Sequence, residues 1–149
     1  MRVTSSGVSG WSSKTLSSYL AIVGDFDVTA SFADLSVKAP DSDKSSGIQL
    51  GLTFMNTTKD TVEVIRRLTG SGVQVVETMR VIHEAGGTQY RSQSRPQSLD
   101  SGRFRLSRRG DVIVWMFSAR DNGQFDVLRA ERISDAHVQL GGIDFEACQ

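Results

Sequence analysis

Between Gly102 and Ile133 the chain reads GRFRLSRRGDVIVWMFSARDNGQFDVLRAERI, three runs of nearly alternating apolar and polar residues separated by two pairs suited to tight turns. A period of two sends successive side chains to opposite faces of a strand. The first turn is Arg109-Gly110 or Gly110-Asp111 and the second is Asn122-Gly123; each pair offers a residue that tolerates the positive φ of a two-residue hairpin loop. The segment is therefore expected to form a three-stranded antiparallel meander, and a fold built around it must be rich in sheet.

Parity carries this further. Either register of the first turn pairs an even position with an odd one, so Phe104 and Leu106 share a face with Ile113, Trp115 and Phe117. A loop at Asn122-Gly123 adds Leu128 and Ala130 to that core face. The opposite face then collects Arg103, Ser107, Val114, Ser118 and Val127 with Arg105, Met116, Arg129 and Glu131. These last four, polar groups beside an apolar one on one floor, are the expected ligand-binding residues.

The rest of the chain has the same texture. Phe26, Val28, Ala30 and Phe32 alternate with Asp27, Thr29 and Ser31, and Ile48, Leu50, Leu52 and Phe54 alternate in a second run. Further β-rich runs cover Thr61 to Thr69, Val73 to His83, Thr88 to Gln93 and His137 to Ala147, the last bent at Gly141-Gly142. Eight or nine strands with no capped helical period predict an all-β sandwich or barrel. The 149 residues fit one domain able to bury its own core, after a serine-rich lead expected to be loosely ordered over residues 1 to 15.

Composition excludes several classes. The formal net charge is zero, so no overall field draws the chain to nucleic acid or an anionic membrane. No apolar run is long enough to insert in a membrane, and the first twenty residues lack the order of a secretory signal. The lone Cys148 rules out an internal disulfide. The motifs of serine hydrolases, zinc proteases, nucleotide-binding loops and dinucleotide folds are missing. Asp41-Ser42-Asp43-Lys44-Ser45-Ser46-Gly47 starts like a calcium loop, but its glycine comes one place late and its twelfth position is Leu52. No cofactor or metal motif is expected, and the one metal left open by the sequence is a calcium held by carboxylates and carbonyls drawn from separate loops. His83 and His137 read as strand-end surface residues.

The order GDFDVTASF, GIQLGLTF, GRFRLSRRGDVIVW, DNGQFDVL and VQLG resembles the concanavalin A-like lectin/glucanase superfamily over residues 24 to 142, and within it jelly-roll domains of large extracytoplasmic bacterial proteins. The resemblance implies a jelly-roll sandwich of two antiparallel sheets, an extracytoplasmic location and contact with saccharide. It also implies a further strand after VQLG, so that the chain is expected to be a fragment lacking a last strand. Superfamily members that hydrolyse glucans carry Glu-x-Asp-x-Glu on one strand. Here Gly142-Ile143-Asp144-Phe145-Glu146 matches two of its three acids, with glycine at the nucleophile position.

Arginine outnumbers lysine 13 to 4, and six arginines with one acid, Asp100, lie between Arg91 and Arg109. The guanidinium fork suits carboxylates, phosphates and the faces of aromatic rings or sugars. A solvated face would produce the same run. Three functions follow from these residues: a non-catalytic lectin-like module with a saccharide ligand, an interaction domain of a larger protein, or a glycoside hydrolase using Asp144, Glu146 and an acid such as Glu77.

Overall fold

The computed structural model describes residues 13–18, 22–36, 45–54, 59–98, 100–119, 123–133 and 140–148. They form ten strands: β1 (Ser13–Ser18), β2 (Phe26–Phe32), β3 (Ser45–Phe54), β4 (Thr61–Thr69), β5 (Gln74–Glu84), β6 (Gly87–Pro96), β7 (Gly102–Arg109), β8 (Val112–Ser118), β9 (Asp126–Arg132) and β10 (Leu140–Cys148). Among the described residues there is no helix, and so none long and apolar enough to cross a membrane. Two antiparallel sheets pack as a jelly-roll sandwich, one ordered β1-β10-β3-β4-β5-β6 and the other β2-β7-β8-β9.

The core lies where alternation puts it. Phe26 and Phe32 of β2, Phe104 and Leu106 of β7, and Ile113, Trp115 and Phe117 of β8 face Ile48, Leu50, Leu52 and Phe54 of β3, Val62 and Val64 of β4 and Val76 of β5. Each such side chain removed from water contributes about 1.5–3 kcal/mol before the entropy of ordering it. Phe32, Phe104 and Phe117 form a cluster with ring centres 5.1 to 6.4 Å apart. Gly102 permits it, since a Cβ there would stand 2.8 Å from the Phe117 ring. Arg66 is also buried on this face, bonded through Nη2 to Gln74, and burial pushes its guanidinium below its ordinary range.

The first meander turn is Gly110-Asp111, because Arg109 pairs with Val112. Gly110 takes φ 57, the left-handed region where a Cβ is costly. At the second turn Asn122 lies outside the described residues, while Gly123 has φ 81.

The ladder between β8 and β9 does not keep the parity of a two-residue loop. Ile113 pairs with Glu131 and Trp115 with Arg129, but Met116 pairs with Val127, so an extra residue is accommodated between Val127 and Arg129. A bulge of this kind reverses inside and outside for every residue beyond it. Leu128 still packs against the core, as its alternation predicts. Ala130 does not: it is exposed and pairs with the outward Val114. Arg129 and Glu131, expected on the outer floor, instead share the inward side of the sheet with Trp115 and Ile113.

Two expectations concern the ends of the order. Residues 13 to 15, assigned above to a loose lead, begin β1. The bend expected at Gly141-Gly142 coincides with a register shift in β10 between Leu140 and Gly142. His137 and the Asp41–Asp43 loop lie outside the described residues.

Candidate functional site

The structure separates the four expected ligand residues into two pairs. Arg105 and Met116 are direct partners across the β7–β8 ladder on the outward face of the four-stranded sheet. Arg105 Nε donates to Thr29 Oγ1 at 3.1 Å, and its guanidinium carbon lies 3.9 Å from the centre of the Phe125 ring. Arg103 approaches the same ring at 5.2 Å. The next partner of Met116 is Val127, which is 53% exposed. The outcome is an open floor where guanidinium donors and a hydroxyl border an aromatic and apolar strip.

Sequence reasoning did not single out Phe125. It directly precedes β9, and only folding brings its ring against Arg103 and Arg105 of β7. At the other end of the same face Asp27 accepts from Ser107 Oγ and from Arg109 Nη2, the latter at 2.6 Å. The Ser107 bond, with Arg109 adding to it, holds the Asp27 carboxyl below the usual carboxylate range.

Arg129 and Glu131 belong to a second arrangement, the seam where β9 of one sheet meets β5 and β6 of the other. Glu131 receives the guanidinium of Arg80 and that of Arg129, and Arg91 Nη1 stands 3.9 Å from its Oε1. Arg129 Nη1 also donates to the Arg91 carbonyl at 3.0 Å, and Arg95 Nη2 to the Leu128 carbonyl at 3.3 Å. The Arg129 guanidinium lies 5.0 Å from the Trp115 ring centre. Two of the six arginines of the 91–109 run thus reach the seam, together with Arg80 and Arg129 from outside it.

The positions proposed for hydrolysis lie in the six-stranded sheet. Register pairs Asp144 with Gly51 and Glu146 with Gln49. The same rows continue through Glu63 to Met79 and through Ile65 to Glu77. Glu77 is therefore three strand spacings from the Glu146 position, about 14 Å at the usual spacing, and its carboxylate is paired with Arg67 at 3.2 Å. His83 is an exposed strand-end residue whose Nδ1 is 3.0 Å from Thr88 Oγ1. Among the described residues no three His, Cys, Asp or Glu side chains cluster as a metal site would require.

Similarity to solved structures is confined to the fold. The chain superposes on the CBM2 module of the evolved Dit of Lactobacillus casei BL23 phage J-1 with TM-score 0.53 and 8% identity, covering 90% of this chain and 69% of that one. It superposes on the κ-carrageenase of Pseudoalteromonas carrageenovora, solved with an oligotetrasaccharide of κ-carrageenan, with TM-score 0.52 and 11% identity, covering 89% of this chain and 53% of the enzyme. A search of curated proteins returns no match. A family model does match, along residues 1–149: the chain belongs to the family described as the C domain of a protein of unknown function, DUF1583.

Proposed function

We propose that the outward face of the four-stranded sheet is a non-catalytic, lectin-like surface for a saccharide or cell-surface polymer. The observation that carries this reading is the Arg105 guanidinium, fixed between Thr29 and the Phe125 ring beside the open Met116–Val127 pair. A sugar offers hydroxyls at its rim and an apolar C–H surface on its ring, and a floor of fixed donors beside apolar area matches both. Arginine suits the task because its donors are rigid and it stacks on rings. The fold shared with a module named for carbohydrate binding and with a carrageenase supports the same class of ligand, as does the resemblance to concanavalin A-like domains. An extracytoplasmic location goes with that reading.

Affinity electrophoresis of the full chain against a polysaccharide panel, with and without calcium, tests it. Binding is expected to one or more members, and Arg105→Ala or Phe125→Ala is expected to weaken it about tenfold, the loss of one charge-assisted contact. Absence of binding across the panel, or equal binding by both variants, overturns the reading in favour of an interaction domain. Hydrolysis gains no support from Glu77, whose carboxylate is already paired with Arg67.

A further inference from the structure

We propose that the seam between β6 and β9 is an oxyanion site, which takes the carboxylate or sulfate group of an acidic polysaccharide. Three guanidiniums, those of Arg80, Arg91 and Arg129, converge on Glu131, and Arg95 stands in the same seam. Among the described residues, the ion pairs of this seam thus set three guanidiniums against one carboxylate, with the Arg95 charge beside them. A partly sheltered cluster with that imbalance favours an anion more strongly than the same charges in open water would.

The hydrogen-bond inventory supports the same conclusion. A guanidinium carries five N–H donors. Arg95 uses one on the Leu128 carbonyl, and Arg91, with a 53% exposed side chain, bonds Gln89 at 3.3 Å and touches Glu131 only at 3.9 Å. Arg80 Nε is buried and has no hydrogen-bond partner among the described residues. Among the described residues Arg91 and Arg95 therefore keep forked donors free of partners in the seam, the geometry that carboxylate and sulfate oxygens accept. Nucleic acid fits less well, because the chain is neutral overall and the excess charge occupies one seam rather than a track along a backbone.

The inference rests on the saccharide reading for the kind of polymer, whereas the anion site is tested separately. The full chain is run in gels containing dextran sulfate, polygalacturonate or uncharged dextran, with a duplex DNA oligonucleotide as a fourth arm. Retardation by dextran sulfate, by polygalacturonate or by both is expected, and which of them acts identifies the oxyanion. Uncharged dextran and the duplex are expected to have no effect at about 0.15 M salt, where exposed charges are screened beyond about 8 Å. Arg91→Ala and Arg95→Ala should each weaken retardation about tenfold, Arg91→Lys should restore only part of it, and Arg132→Ala, at an exposed arginine that stands beside Asp111 and not Glu131, should leave it unchanged.

No retardation by either charged polymer at low salt overturns the proposal. So does DNA binding of equal strength, equal retardation by uncharged dextran, or full binding by Arg91→Ala and Arg95→Ala. Circular dichroism of each variant confirms that it folds. The two surfaces are told apart by crossing the variants: the seam variants lose retardation by the charged polymers and keep binding to the uncharged members of the panel, whereas Arg105→Ala weakens that panel binding, so either proposal can fail without the other.

Discussion

Arg105 and Arg129 look alike in sequence, each on a β-strand of the meander and each ending with its guanidinium over an aromatic ring. Their surroundings differ. Arg105 covers the half-buried Phe125 on an open face and bonds a neutral hydroxyl. Arg129 covers the fully buried Trp115, and its own side chain is 11% exposed and paired with Glu131. On the open face a charge is stabilised by water and can be offered to a ligand. In the seam the charge must be balanced by protein, so the same contact becomes part of what holds the two sheets together.

This contrast can be broken most directly at the rings. Trp115→Ala should cost about 4 kcal/mol, the usual penalty for emptying a buried aromatic site, whereas Phe125→Ala should cost about 1 kcal/mol or less, the scale of an exposed cation–π contact. Urea unfolding of both variants gives the comparison, and equal losses would refute the assignment of one ring to the core and the other to the surface. Next in size is Glu131→Gln, which leaves three guanidiniums facing a neutral amide. A loss of about 2 kcal/mol is expected, within the range for hydrogen bonds to charged groups; a thermal melt unchanged from that of the parent chain would mean the seam is not held by that carboxylate.

The smallest effect lies at the far end of the outer face. The Asp27 carboxyl titrates below its unfolded value, so its bonds to Ser107 and Arg109 contribute fully above the unfolded carboxylate pKa, about 3.9, and are lost as pH falls through the lower folded value. Ser107→Ala removes the largest cause of the shift and should move the onset of acid unfolding to higher pH. Asp27 and Arg109 are both about half exposed, so the displacement should be slight and should shrink in salt to the extent that Arg109 carries it. An acid titration of the variant identical to that of the parent chain would remove Ser107 from this account.

Much of the sandwich was legible in the amino-acid order, because alternation is a property of single strands. Phe26 and Phe32, the β3 set from Ile48 to Phe54, and the β7–β8 set around Trp115 all point where their spacing says. What was not legible was the extra residue in β9. FDVLRAERI alternates no worse around Leu128 than elsewhere, and a bulge is decided by how the strand meets β8, not by its own composition. Arg105 and Met116 therefore fell together as parity requires, and Arg129 and Glu131 did not. The seam was half visible, as a run of arginines with a single acid. Its partners Arg80 and Glu131 are 51 residues apart and meet only through the packing of two sheets.

The six-stranded sheet has one more property. Its β3 is flanked by β4 on one side and by β10 on the other, and among the described residues β10 alone joins β1 to the remainder. On a ribosome, which delivers the chain from its N-terminus, β3 to β6 can assemble as a meander of neighbours while one margin of β3 stays open until residues 140–148 have emerged. That margin presents the unpaired backbone groups of an apolar strand and would invite a nascent neighbour to pair with it. Closure of that margin thus waits for synthesis of β10, and the interval before it is when a chaperone would matter most.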